Sequence, residues 1–230
     1  MNLYQYKKGY RYTSDVMLLY DFARFFRPRG DILDVGCGCG ILGLLLKRDF
    51  PSIKLSAIDI QEEHVFLTLK NVQENALNAN IILGDFAKYK FGDKFDFIVS
   101  NPPFYHESTK KSENERLKIS RYANSLPLKE FLFKSALLMK PKGFLIFCYD
   151  SKQIEDIVLQ SNEAKLKICD IRFVHSKKDR DSSLALISAR KESKSFAKIH
   201  SPIFMFEENT YTKEIKEIFK VADTRSMDWE

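Results

Sequence analysis

The stretch Asp34-Val35-Gly36-Cys37-Gly38-Cys39-Gly40 decides the fold of this 230-residue chain. It follows the apolar pair Ile32-Leu33 and leads into a second apolar run that starts at Ile41. This order is typical of a buried strand, a glycine loop and a helix. Alternate glycines permit a tight turn and let a ligand lie against bare backbone, with the first amides of the helix facing its polar groups. The pattern predicts a nucleotide-like site, although a turn with nothing bound has the same pattern.

Two later features favour a bound ligand over an empty turn. A second apolar strand ends in Asp59, where a Rossmann-like unit places the acid that binds a ribose. Farther along, the apolar run 95–100 leads into Asn101-Pro102-Pro103-Phe104. The order of glycine loop, acid and Asn-Pro-Pro-Phe is a much more specific signal than the loop alone.

These three motifs resemble the class I S-adenosylmethionine-dependent methyltransferases, and more narrowly those that methylate an amino group and carry an Asn-Pro-Pro-aromatic motif. The resemblance implies an α/β fold: a Rossmann-like, seven-stranded, mostly parallel sheet with a C-terminal antiparallel hairpin and helices on both faces. It implies S-adenosylmethionine as the cofactor and S-adenosylhomocysteine as the product. The residues expected to bind the cofactor are Asp34, Gly36, Gly38, Gly40, Asp59, Ile60, Asp85, Phe86 and Asn101, with Thr13 and Asp15 as secondary candidates.

Two of these assignments have a structural alternative. In the methyltransferase class, an acid after the third strand accepts a hydrogen bond from the adenine amino group, and Asp85 stands there with Phe86 beside it to pack on the ring. A turn or helix-capping role would explain Asp85 equally simply. Thr13 is likewise expected as a helix N-cap with Asp15 in the first turn.

Hydrophobic periodicity predicts the elements that carry these residues, and no linker or internal repeat divides them. We therefore expect one domain over 1–230, with an N-terminal extension over 1–30 and a polar substrate loop over 105–122. The predicted strands are 31–35, 53–59, 81–83, 95–100, 144–149, 167–174 and 183–189. The predicted helices are one from Thr13 or Ser14 to near Pro28, then 41–49, 62–76, 128–139 and 154–159, and a turn is expected at 141–143.

Composition narrows the class of protein. No apolar run approaches the ~20 residues that span a bilayer, and the N-terminus lacks the apolar core of a signal peptide. The four cysteines have neither disulfide-like nor zinc-like spacing, so we expect four reduced thiols, no metal and a cytoplasmic location. We expect Cys37, Cys39 and Cys148 to be small packing residues. The net charge of +6 suits an anionic macromolecule such as nucleic acid, although solvated lysines explain it as well.

The motif at Asn101 suits chemistry on a conjugated amine. If the Asn101 side-chain oxygen and the Pro102 carbonyl accept its N–H bonds, the nitrogen lone pair is drawn out of conjugation and aimed at the methyl group. Phe104 then offers a face for an extruded base. We assign Asn101, Pro102 and Phe104 to catalysis and expect His106 to be a loop or substrate contact. The candidate substrate-binding residues are Pro103, Phe104, Tyr105, Lys110, Lys111 and Arg121.

The substrate is suggested by the ends of the chain. Segments 172–176, 185–191, 202–206 and 211–214, with 13–15 and 18–19, look like the bacterial tRNA1(Val) adenine-37 N6-methyltransferases. This chain has Tyr122-Ala123 where that family tends to have His-Glu, and Phe104 where tyrosine is commoner. The resemblance implies adenine N6 of a tRNA as the substrate and a monomer is assumed. A glutamine methyltransferase of release factors, a guanine-N2 methyltransferase of ribosomal RNA and a cofactor-binding protein without catalysis are the alternatives.

Overall fold

A computed structural model describes residues 1–7, 11–102 and 126–229. The strands are β1 Asn2–Tyr6, β2 Asp31–Val35, β3 Lys54–Asp59, β4 Asn80–Leu83, β5 Phe95–Ser100, β6 Met139–Asp150, β7 Leu166–His175, β8 Ser182–Lys191, β9 Lys198–Ile199, β10 Ile203–Phe204, β11 Phe206–Glu207, β12 Thr210–Tyr211 and β13 Arg225–Trp229. The helices are α1 Ser14–Phe25, α2 Ile41–Asp49, α3 Glu62–Glu74, α4 Leu128–Leu138, α5 Ile154–Glu163 and α6 Lys213–Ala222, with a 3₁₀ turn at Ser151–Gln153.

The main sheet has the order β4-β3-β2-β5-β6-β8-β7. The pairs from β4 to β6 are parallel, whereas β8 runs antiparallel to both β6 and β7. The α/β fold with a C-terminal antiparallel hairpin is thus confirmed. The strand count differs slightly from seven, because the two-residue strands β9 and β10 also pair with β7.

The order of the strands creates a crevice between β2 and β5. The chain moves outward from β2 to β3 and β4, then returns to β5 on the other side of β2. Right-handed crossovers in opposite directions place helices on opposite faces of the sheet. At such a switch point the loops after the two central strands part, and ligands bind outside their carboxyl ends. The loop 36–40 after β2 and the segment that begins at Asn101 after β5 therefore flank this crevice.

Strand β6 is longer than the sequence predicted. The expected turn at 141–143 lies inside it, where Lys142 has a φ of 61°. The pairing with β5 jumps from Phe95–Met139 to Phe97–Phe144, so the extra residues form a bulge. Residues 141–143 do depart from extended backbone, but β5 pairs with the chain on both sides of them, so the strand continues.

The two ends of the described chain form a small sheet of their own. Strand β1 pairs in parallel with β13, with Tyr4 opposite Met227 and Tyr6 opposite Trp229. The backbone of Tyr4 is also held by Asn71 of α3, which accepts from its N–H at 2.7 Å and donates to its carbonyl at 3.1 Å. The tyrosine-rich N-terminus is therefore an edge strand packed on α3. In the described part of the chain, no helix is long and apolar enough to cross a membrane.

Candidate active site

The glycine loop after β2 is pinned to the neighbouring strand β3. The amides of Gly36 and Cys37 both donate to the carbonyl of Ile58, at 2.9 and 3.1 Å. Gly36 has a φ of 65°, and a Cβ there would meet no atom within 4 Å. The backbone at Gly36 is therefore bare on its open side, and only glycine adopts this φ without strain. Gly38 and Gly40 also have positive φ, of 58° and 82°.

Asp59 lies at the carboxyl end of β3 and faces this loop. Its side chain is only 6% exposed, yet both carboxylate oxygens have partners. One oxygen accepts from the Gly38 amide at 2.9 Å, and the other accepts from the Gln61 amide at 2.9 Å. A carboxylate has about four lone-pair positions, so acceptor capacity remains for a hydroxyl group. Asp59, which the sequence predicts to bind a ribose, therefore also holds the glycine loop in place.

Helix α3 supplies three buried side chains that sequence reasoning missed. His64 Nδ1 lies 3.2 Å from Asp59 Oδ1. Thr68 Oγ1 donates to the Gly38 carbonyl at 2.8 Å, and Asn71 Nδ2 donates to the Cys39 carbonyl at 2.8 Å. Through these contacts α3 holds the glycine loop and Asp59 in place. The sequence gives one indication of these roles: the three residues lie on the helix that follows Asp59.

Asp34 is buried beneath the loop, with 1% of its surface exposed. It accepts from the amide of Gly43 at 2.9 Å. A Cβ on Gly43 would lie 2.9 Å from Asp34 Oδ2, so glycine permits this close approach. Burial, with a smaller contribution from the nearby Asp59 carboxylate, raises the pKa of Asp34 to about 7, although the Gly43 hydrogen bond acts to lower it. Asp34 therefore supports the loop from inside the fold.

Next to Asp59, apolar surface is exposed at the ends of β3 and β4. Ile60 is 50% exposed, and Leu83, which pairs with Asp59, is 51% exposed. Half-exposed aliphatic side chains beside a carboxylate suit an aromatic ring attached to a sugar. Leu83 was not singled out from the sequence.

Asp85 follows β4 and forms a turn. Its carboxylate accepts from the Ala87 amide at 3.0 Å and lies 3.1 Å from the Lys88 ammonium. These contacts fit the turn role that the sequence left open. Phe86 is 5% exposed and packs against Phe91 and Phe131. Its ring therefore packs in the core, although the resemblance predicts a contact between this ring and the adenine.

Asn101 emerges from the carboxyl end of β5, directly across the crevice from the glycine loop. The preceding residue, Ser100, is fully buried, and its hydroxyl donates to the Val35 carbonyl at 2.8 Å, which ties the two strand ends together. The Asn101 side-chain oxygen accepts from the thiol of Cys148 on β6 at 2.9 Å. Pro102 follows and is buried. Cys148 had been expected only to fill space.

The start of α1 closes the crevice at the glycine loop. Tyr12 and Val16 line one small cavity together with residues 36–39 and Asn101. Thr13 is the N-cap of α1, although its side chain makes no capping hydrogen bond. Burial raises the pKa of Asp15, against a hydrogen bond to Thr13. Thr13 and Asp15 therefore lie beside the site without a demonstrated role, and Tyr12 is an addition to the predicted residues.

The four cysteines are free and buried. Burial raises the pKa of Cys39 to about 12 and the pKa of Cys37 well above its usual range. Such thiols stay protonated and unreactive. Among the described residues, no group of three or more histidine, cysteine or acidic side chains could hold a metal ion.

Several predicted site residues lie outside the described part of the chain: Pro103, Phe104, Tyr105, His106, Lys110, Lys111 and Arg121, with the rest of the 105–122 loop. Their assignments stay predictions.

Comparison with known proteins agrees with this geometry. Residues 15–153 match the family described as the methyltransferase small domain. The chain belongs to this family. A solved structure of a predicted O-methyltransferase from Agrobacterium tumefaciens has a TM-score of 0.71 and 15% identity, covering 94% of this chain and all of that one. At that identity the likeness concerns the fold.

Two kinds of methyltransferase are among the curated relatives of this chain. The tRNA1(Val) (adenine(37)-N6)-methyltransferase of Flavobacterium johnsoniae is 24% identical over 94% of this chain and 93% of its own length. The protein of that name from Actinobacillus pleuropneumoniae is 29% identical over 72% of this chain and 71% of its own. The ribosomal RNA small subunit methyltransferase C of Haemophilus ducreyi is 37% identical, but over only 40% of this chain and 27% of its own length.

The cofactor of the methyltransferase is S-adenosylmethionine, and the described residues fit it. The bare backbone at Gly36 leaves space that a side chain would fill. Asp59 offers a nearly buried carboxylate for ribose hydroxyls, and Ile60 and Leu83 offer apolar surface for the adenine. The prediction of this cofactor is confirmed.

Proposed function

We propose that this methyltransferase modifies the N6 amino group of an adenine in tRNA. The observation that carries the proposal is the position of Asn101, which follows β5 at the switch point and lines a cavity together with the glycine loop. Support for the substrate comes from the relatives that match most of the chain, whose names specify adenine-37 of tRNA1(Val). The net charge of +6 adds support for a polyanionic partner.

The site contributes alignment and hydrogen-bond acceptors. S-adenosylmethionine supplies an electrophilic methyl group bonded to a sulfonium. One lone pair of the Asn101 oxygen is taken by the Cys148 thiol, and the second is free to accept an N–H from the adenine amine. The Pro102 carbonyl is the second proposed acceptor. Two such acceptors localise the nitrogen lone pair and direct it across the crevice toward the glycine loop.

The proton and electron balance needs no general base. Transfer of the methyl group to the amine nitrogen would be balanced by loss of the sulfonium as a neutral thioether, which would keep the electron pair of the C–S bond. The methylated nitrogen, briefly cationic, loses one N–H proton to water. The role of Asn101 is therefore to hold that N–H and to stabilise the positive charge as it develops.

The test incubates the purified protein and tritiated S-adenosylmethionine with total tRNA from a strain that lacks this gene and, in parallel, with ribosomal RNA and with a release factor. The labelled nucleosides and amino acids are then identified. We expect label in N6-methyladenosine, and an Asn101→Ala protein should lose that label by orders of magnitude while binding the cofactor nearly normally. Label in N2-methylguanosine of ribosomal RNA or in a glutamine of a release factor would overturn the substrate. Cofactor binding without transfer to any of these would overturn catalysis.

A further inference from the structure

The cofactor and the substrate must share one edge of the sheet. The glycine loop, Asp59 and Asp85 follow β2, β3 and β4, which occupy one half of its carboxyl edge. Asn101 follows β5, and β6, β8 and β7 form the other half. A large substrate that reaches Asn101 therefore approaches over the half beyond β5.

The loop between β7 and β8 carries several cationic side chains on the half of the sheet beyond β5. Because β7 and β8 are antiparallel and Leu184 pairs with Asp150 at the end of β6, the hairpin tip 176–181 lies at the carboxyl edge. It contains Lys177, Lys178 and Arg180. Strands lie about 4.8 Å apart, which puts the tip roughly 10–14 Å across the sheet from the strand that carries Asn101.

Hydrogen bonds brace the tip and the residues next to it. The Arg180 amide donates to the Lys177 carbonyl at 3.1 Å, which closes a turn. His175 Nδ1 pairs with the Arg180 carbonyl at 2.7 Å. The Ser151 hydroxyl donates to the Ser182 carbonyl at 2.7 Å, which fastens the tip to the end of β6. A fixed loop loses little entropy when it binds a ligand.

The cations of the tip are available to a partner. Lys178 and Arg180 are exposed and Lys177 is partly exposed. Asp179 and Asp181 separate them in the chain, but none of the three cations forms an ion pair within the described ranges. Exposed lysine and arginine without carboxylate partners suit the phosphates of a nucleic acid backbone.

We propose that the tip 176–181 is an RNA-docking surface that contacts phosphates of the nucleotides flanking the target base. The inference rests on the proposed function and names the part of the fold that would hold its RNA substrate. The contacts are to the backbone, so they orient the RNA without reading its sequence.

The test compares two triple variants of equal charge. One is Lys177→Glu, Lys178→Glu and Arg180→Glu. The matched control is Lys54→Glu, Lys167→Glu and Lys194→Glu, three exposed lysines at the opposite edge of the sheet. Each set changes the net charge by six, from +6 to 0. Binding of fluorescent tRNA is measured by anisotropy over a range of salt, with calorimetric binding of S-adenosylmethionine as the check on folding.

We expect the hairpin variant to bind tRNA about tenfold or more weakly than the control variant, with a salt slope lower by about 2 for three lost phosphate contacts. Its affinity for the cofactor should be unchanged. Equal loss in both variants, or no loss in the hairpin variant, would overturn the docking surface while leaving the methylation of tRNA by the wild-type protein intact. A wild-type protein that methylates no tRNA would overturn the proposed function and this surface with it.

Discussion

Replacing Cys148 tests whether its thiol positions the side-chain amide of Asn101, the residue proposed to hold the substrate amine. The thiol is fully buried and donates to the Asn101 oxygen at 2.9 Å. Cys148→Val removes the donor at similar volume, whereas Cys148→Ser keeps a donor. Without the donor, the amide loses a constraint on which of its ends faces the substrate amine. A net hydrogen bond contributes about 1 kcal/mol, which corresponds to roughly a fivefold change in rate.

The assay is single-turnover methyl transfer to tRNA at saturating cofactor and RNA. We expect Cys148→Val to lower the rate about fivefold and Cys148→Ser to stay within about twofold of the wild type, with unchanged cofactor affinity in both. Asn101→Ala should cost about 10²–10³ in rate, as for the loss of one transition-state hydrogen-bond partner.

A double-mutant cycle gives the decisive comparison. In the Asn101→Ala background, Cys148→Val should have no further effect, because the thiol then has no amide to position. If Cys148→Val and Cys148→Ser slow the reaction equally, or if Cys148→Val acts fully in the Asn101→Ala background, the reasoning is refuted and Cys148 serves packing alone.

Three further predictions concern the loop and its supports. Asp59→Ala should raise the dissociation constant of S-adenosylmethionine at least about tenfold, because the Gly38 amide and any ribose hydroxyl lose a charged acceptor. The control Glu62→Ala, which removes an exposed carboxylate nearby, should leave this constant unchanged, and calorimetry measures both. Burial raises the pKa of Asp34 from 3.8 to about 7, so protonated Asp34 stabilises the folded state below about pH 4, and this stabilisation is lost as the pH rises through 7. The free energy of unfolding should therefore fall by at most about 4 kcal/mol over this range in the wild type but not in Asp34→Asn, as measured by denaturant unfolding without cofactor. Parallel pH curves for the two proteins would contradict this prediction. Deleting residues 225–230 should weaken cofactor binding, since Gln5 links the Tyr12 amide at 3.0 Å to Ser226 of β13; an unchanged affinity would show that this link does not order the site.

Elements with strong local signals could be predicted closely from the sequence. The observed bounds of β2, α2 and β5 coincide with the predicted 31–35, 41–49 and 95–100. Each is a dense apolar run bounded by glycine, proline or acidic residues, so burial and chain breaks agree at both ends. The bulge in β6 differs, because the turn residues 141–143 are overridden by pairing with β5 on both sides.

Some residues of the candidate site could be predicted from the sequence, and others could not. Glycines with positive φ, the acid after β3 and the asparagine after β5 are local patterns with a chemical meaning, and the structure brings them to one crevice. His64 against Asp59, Cys148 against Asn101 and Asn71 against the loop carry no such pattern. Their roles depend on which strands and helices become neighbours.

The sequence by itself determined the class of fold, the family and the cofactor, because backbone freedom and hydrophobic periodicity are properties of short segments. Only the tertiary structure decided which residues distant in sequence meet, including those that contact Asn101 and Asp59, and which loops share their edge of the sheet. Those contacts join residues as far apart as β1 and β13, and Asn101 and Cys148. They form where elements distant in sequence become neighbours, because packing, unlike propensity, acts between elements rather than along the chain.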